Sequence, residues 1–382
     1  MNPTRSGPLF HPTASFDPDA AAQPGTGVFG LPFTFEQAGL VLVPVPFDAT
    51  TSYGGGASAG PAAILEASHQ VDLFDLQFGR VYEFGLFMQE IDETIAARSR
   101  EARALAEPII EKAGGDPDDP ADRAVLDRVN QASAWMNQIV YERFAAVLQS
   151  GRVAGLVGGD HSTPFGAIKA CAEKAGAEGL GVLHIDAHMD LRDAFEGFEW
   201  SHASIMFNVL KHIPGVRRLV QVGIRDFGEG ELRVAQQATN AGPSTLQHPH
   251  DSWMTGAAGP APRVMTYFDL ELAKRQSRGE AWEATCQEII SQLPRQVYVS
   301  FDIDGLDPAL CPHTGTPVPG GLSFNHAAML LEALARSGRR IIGFDLNEVC
   351  PGPEGSGEWD ANVGARVLYK LCGSAYRANR GW

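Results

Sequence analysis

The feature that most constrains this chain is a recurrence. Short apolar runs, each closed by a knot of polar residues, alternate with helix-forming stretches. The runs cover residues 40–46, 153–157, 181–185, 219–222, 297–301 and 341–346. Four to seven residues is strand length, and a strand–helix–strand alternation predicts a mainly parallel sheet with helices on both faces. In open sheets of that kind ligands sit beyond the carboxyl ends of the strands, so the polar knots are where function is expected.

Four knots stand at such ends: Gly158-Gly-Asp-His-Ser162, His184-Ile-Asp-Ala-His-Met-Asp190, Ser300-Phe-Asp-Ile-Asp-Gly-Leu-Asp-Pro308 and Asp345-Leu-Asn-Glu-Val349. Extended backbone alternates its side chains, so Asp186, His188 and Asp190 project to one side, as do Asp302 and Asp304. Like-charge repulsion forbids so many packed carboxylates unless a cation holds them. Mixed imidazole and carboxylate ligands suit Mn, Zn, Ni or Fe better than Ca or Mg. Asp186, Asp190, Asp302 and Asp304 together match the charge of two divalent ions. His184, inside a strand, reads as a packed residue or a support for a ligand. His69, His212, His248, His250 and His326 have no such surroundings and read as ordinary surface or core histidines.

Composition excludes several classes. With 30 basic against 46 acidic residues the net charge is −16, which opposes unaided binding to nucleic acid or anionic lipid. No apolar run is long enough to span a bilayer, and the first 17 residues lack the apolar core of a signal peptide. Five scattered cysteines make neither a disulfide framework nor a zinc knuckle, and the compartment expected is the cytoplasm. Residues 1–37, rich in Pro, Gly and Ala, read as an irregular arm. Residues 38–382 read as one domain, and the stretch at about 91–150 reads as a helical pair inserted into it, with Pro120 near the start of the second helix.

Gly159-Asp-His161, Asp186-Ala-His-Met-Asp190 and Ser300-Phe-Asp-Ile-Asp304 with Asp307-Pro308 resemble the three signatures of the ureohydrolases, the arginase and agmatinase family. The loops Thr314-Gly-Thr-Pro317 with Gly320-Gly321, and residues 52–61, resemble that family too. The resemblance covers about residues 38–372. It implies an arginase-like α/β three-layer sandwich and a dinuclear centre, manganese in most members and nickel in some that cleave guanidine. It also implies a trimeric or hexameric homo-oligomer. By the same resemblance His161, Asp186, Asp190 and Asp302 would ligate one ion, and His188 and Asp304 the other, with Asp186 and Asp302 bridging. Asp190 would also accept a hydrogen bond from a bridging hydroxide, His202 would shuttle protons, Glu348 would pair with a guanidinium, and Thr316 would line the pocket. The alternative is an inactive family member that binds a partner, but no ligand position is lost.

The substrate stays open between two small guanidino compounds. The stretch 191–199 carries three acids, which disfavour the carboxylate of arginine. Agmatine would offer a cationic tail to Asp193, Glu196 or Glu199, with Asp193 and Glu199 taken as substrate contacts. Free guanidine or an alkylguanidine would suit a pocket narrowed by Phe195 and Phe198. His313 is read either as a capping residue or as a reshaped pocket wall.

Overall fold

Strand β1 (Leu40–Val45) is buried at every position and alternates between two hydrophobic clusters. Leu40 and Leu42 face one cluster, and Val41, Val43 and Val45 the other. That alternation is the signature of a strand covered on both faces, and it recurs through β5 (Val153–Gly158), where Val153 and Val157 oppose Ala154 and Leu156. The computed structural model describes residues 16–23, 25–116, 118–238, 262–353 and 358–382. His248, His250 and the first 15 residues of the expected arm lie outside them.

Ten strands follow in chain order among the described residues. Besides β1 and β5 they are β2 (Phe74–Asp75), β3 (Gly79–Arg80), β4 (Leu86–Met88), β6 (Leu180–Ile185), β7 (Val216–Ile224), β8 (Val264–Phe268), β9 (Gln296–Asp302) and β10 (Arg340–Asn347). Eight form one parallel sheet in the order β4-β1-β5-β10-β9-β6-β7-β8, and β2 pairs with β3 in a small hairpin. Each apolar run named above is a strand of the large sheet. Its two edge strands went unforeseen: β4 has only three residues, and β8 is half-buried, so its pattern is weak.

The helices complete three layers. Helices α1 (Gly60–Ser68), α8 (Trp282–Ser291), α9 (Phe324–Arg336) and α10 (Trp359–Arg380) cover one face through Ile64, Ile289, Leu334 and Leu368. Helices α3 (Pro120–Gln149), α4 (Phe165–Ala175) and α5 (Ile205–His212) cover the other through Phe144, Ile168 and Val209. The arm's Phe29 is buried edge-on against Tyr369 of α10.

Helix α2 (Glu93–Glu111) and α3 occupy the 91–150 stretch. Asp92 caps α2 by accepting the Thr94 N–H at 2.7 Å, and Asp119 caps α3 by accepting the Ala121 N–H at 2.9 Å, with Pro120 in the first turn. Their facing sides form a small core of their own from Ala106, Ile109, Leu126 and Val129, and Phe198 is buried in it.

Candidate metal centre

The carboxyl ends of β5, β6, β9 and β10 are neighbours in the sheet, so the four polar knots meet at one rim. His161 follows β5, Asp186 follows β6, Asp302 ends β9 and Glu348 follows β10. All four are nearly or wholly buried.

The His161 ring nitrogen Nδ1 lies 2.9 Å from Asp186 Oδ2, 3.1 Å from Asp302 Oδ2 and 3.2 Å from Asp190 Oδ2. Donor atoms about 2.1 Å from a shared ion sit roughly 3 Å from one another, so this is ligand-shell spacing. His161 Nδ1 and Asp190 Oδ2 are also buried without a hydrogen-bond partner. A second group adjoins the first: His188 Nδ1 lies 3.1 Å from Asp304 Oδ2 and 3.4 Å from Asp186 Oδ1. Asp186 thus offers one oxygen to each group, as a bridging carboxylate does.

The electrostatics fit a cation. Burial, and then the charge of Asp186, pushes the Asp190 carboxyl up to about 7. Burial and the charge of Asp304 raise Asp302 well above the carboxylate range. Burial would raise Asp186 as well, but the close approach of the His184, His161 and His188 rings holds it far below. Against burial, contacts with these acids raise His161 and His188 well above the ordinary imidazole value, so the cluster attracts positive charge, which ions held by the six donors would supply.

Around the donors lies a supporting layer. His161 Nε2 meets Ser300 Oγ at 2.9 Å, and Ser300 Oγ donates to Asp345 Oδ1 at 3.0 Å. His184 lies beside the first group, yet both its ring nitrogens are engaged. Gln221 Nε2 donates to Nδ1 at 3.1 Å, and Nε2–H donates to Asp186 Oδ2 at 2.8 Å. Burial lowers its pKa, so the ring is neutral and holds Asp186 in place. Gln221 and Ser300 were not assigned from sequence, because an uncharged residue inside a strand carries no local signal.

Glu348 Oε1 accepts the His161 N–H at 2.8 Å, while Oε2 is buried and unpartnered. Burial first, and then Asp302 and Asp160, raise its pKa far above normal. A Cβ on Gly315 would come within 3.2 Å of Oε2 and 2.9 Å of Thr51 Cγ2, so glycine keeps that approach open. His202 has a buried, unpartnered Nδ1, and its Nε2 lies 3.5 Å from Ser52 Oγ. Burial and the neighbouring His188 and His161 lower its pKa to about 3, so the ring is neutral. Thr316 Oγ1 reaches Asp304 Oδ2 at 3.4 Å.

Two expected substrate contacts are not brought to the cluster. Asp193 points to solvent and pairs with Lys211 at 3.2 Å. Glu199 is also exposed, its backbone tied to Asn130 and Asn208. The reason is the turn between them: Phe195 and Phe198 bond each other through N–H···O contacts of 3.1 and 2.9 Å, and Phe198 dives beneath α2 and α3. His313 also turns from the pocket; its N–H and its ring Nδ1 each lie 2.9 Å from an Asp360 oxygen, tying the loop to the start of α10. No helix among the described residues is long and apolar enough to cross a membrane.

A family model described as the arginase family matches residues 38–373. An N(1)-aminopropylagmatine ureohydrolase of Thermus thermophilus is 30% identical over 341 residues, covering 89% of this chain and 91% of the relative. An agmatinase of Pyrococcus horikoshii is 25% identical, covering 90% and 94%. Among solved structures, the proclavaminate amidino hydrolase of Streptomyces clavuligerus matches with a TM-score of 0.65 at 22% identity, covering 94% of this chain and all (100%) of the other. Strand-end ligand geometry and a match over nearly the whole sheet agree: the chain belongs to the arginase family of hydrolases.

Proposed function

We propose that the protein is a two-metal ureohydrolase that cleaves a guanidino C–N bond, with a small or cationic guanidino compound as substrate. One observation carries the reading: two donor groups share Asp186, and the unpartnered Glu348 oxygen stands beside them. His161, Asp186, Asp190 and Asp302 are suited to one ion, and His188, Asp186 and Asp304 to the second, with manganese or nickel matching the donor set. Two ions so held supply Lewis acidity and make water acidic near neutral pH.

The chain's own residues do the rest. Glu348 takes guanidinium N–H groups through Oε2 and fixes the plane of the substrate. Its charge becomes affordable only when a cation arrives, because burial opposes the ionised carboxylate. Water oxygen bonds to the guanidino carbon, the C–N bond to the substituent breaks, and the departing amine takes a proton. Urea and the amine are the products, or urea and ammonia from guanidine itself. His202 is neutral and lies beside Ser52, placed to accept a proton and return it to the leaving nitrogen.

Urea release from agmatine, guanidine, methylguanidine, guanidinobutyrate and arginine, each with Mn and with Ni, tests the reading. Release from agmatine or guanidine is expected. No release from any of them, together with less than one transition metal bound per chain after loading, overturns it in favour of an inactive, partner-binding relative.

A further inference from the structure

Five non-glycine residues among those described have a left-handed backbone, and three are acids near the site: Asp190, Glu196 and Glu348. Such conformations are strained and persist where the surrounding structure imposes them. Asp190 and Glu348 already have positions at the centre; Glu196 has none there.

Glu196 (φ +55°) and Gly197 (φ +92°) are the two central residues of the Phe195–Phe198 turn. Left-handed backbone at both positions suits a tight reversal, for which Asn-Gly would be the unstrained choice. The inserted helices hold the turn from below. Gly115 N–H donates to the Glu196 carbonyl at 3.1 Å, Leu126 would lie 2.9 Å from a Cβ on Gly197, and Phe198 is fully buried in the α2–α3 core. The neighbouring Phe195 ring stands perpendicular to the His202 ring at 6.0 Å, which puts the turn beside His202.

The same helices hold the facing rim. Ser99 of α2 accepts the Asp48 N–H at 3.0 Å and donates to its Oδ1 at 3.1 Å. Arg103, one turn later, donates to the Thr51 carbonyl, next to the Ser52 that meets His202. Arg103 is near enough to lower the Glu196 pKa, although burial raises it more. It makes no ion pair with Glu196, and Glu196 Oε2 is buried with no hydrogen-bond partner.

We propose that helices α2 and α3 build the selective wall of the site, and that Glu196 on it receives the ammonium end of a guanidino substrate with a cationic tail. This rests on the ureohydrolase reading. An ammonium group would supply the donors that the buried carboxylate oxygen lacks, and an anionic or amino-acid tail would meet that oxygen unfavourably. The strained turn then has a use: it presents an acid where Asn-Gly would be easier to fold.

The test compares kcat/KM for agmatine with that for guanidine, which has no tail. Glu196→Gln is expected to lower the agmatine-to-guanidine ratio about tenfold or more. Glu196→Asn, which the left-handed backbone accepts, should do the same while keeping or raising Tm. Leu126→Ala touches no substrate and should lower the ratio in the same direction. A ratio unchanged in both Glu196 variants overturns the proposal, as does a wild-type enzyme that cleaves guanidine or guanidinobutyrate but not agmatine. An unchanged ratio in Leu126→Ala overturns the part given to the helices. Absence of urea release from every compound instead removes the ureohydrolase reading beneath it.

Discussion

Asp186 divides its oxygens between His161 on one side and His188 on the other, so substitutions on either side of it should separate the two donor groups. His188→Ala and Asp304→Ala are each expected to cost more than about a hundredfold in kcat and to lower bound metal toward one ion per chain. Urea assays with metal analysis check this, and a fully active double variant would refute the two-group assignment. Glu348→Gln keeps the shape but loses the charge, so KM should rise and kcat fall together, by about 10- to 100-fold in kcat/KM. His202→Ala should act mainly on kcat, by about 10²–10⁴-fold, because the role proposed for its neutral ring is proton transfer rather than binding. That these acids and histidines would meet was legible in the sequence, because charged residues at strand ends have few other reasons to cluster. Arg103 and Ser99 were not, since on a helix they look like any surface face, and Gln221 looks like a stray polar residue in a strand.

At the scale of elements, the helical pair shows how local signals and packing divide the work. Asp92, Asp119 and Pro120 mark the helix starts from sequence alone. Asp92 also meets Arg143 of α3, tying the two helices together. Burial by itself would raise the Asp92 pKa, but the Thr94 N–H and Arg143 pull it below the usual value. A depressed folded pKa stabilises above the unfolded value of about 3.9, and the contribution is lost as pH falls through the folded pKa. Asp92→Ala should therefore cost about 1 kcal/mol at neutral pH, with the gap to wild type closing below about pH 4. Denaturant melts at several pH values measure it. The loop after β6 went the other way. Of its three acids Asp193 and Glu199 were the expected contacts, and one turn sends both to solvent while Glu196 is half-buried with its Oε2 enclosed. Nothing in a string of residues says which of three neighbouring carboxylates a tertiary contact will bury.

For the whole molecule, the charge of −16 has a spatial meaning. Several of the acids converge at the ends of β6, β9 and β10, pushed toward protonation by burial first and then by one another. Ions that bind only the folded chain stabilise it by mass action, by about 2.7 kcal/mol at a hundred times their Kd. Chelation should lower Tm by several degrees, and Mn or Ni should restore it while Mg restores less. Equal recovery with Mg would count against a mixed imidazole and carboxylate centre. The sheet order brings this about, since strands far apart in sequence stand side by side with their carboxyl ends aligned.

By itself the sequence determined the six inner strands, the parallel sheet between helices and the residue types at the strand ends. These follow from local periodicity and from the cost of crowding like charges. Only the tertiary structure decided which donors share Asp186, that His184 supports rather than stands free, and which acid of the 191–199 stretch turns a carboxylate oxygen away from solvent. It also decided that the inserted helices reach the rim of the site. Those outcomes depend on strand order, on a single tight turn and on packing between distant segments, and such contacts leave no periodic trace along the chain.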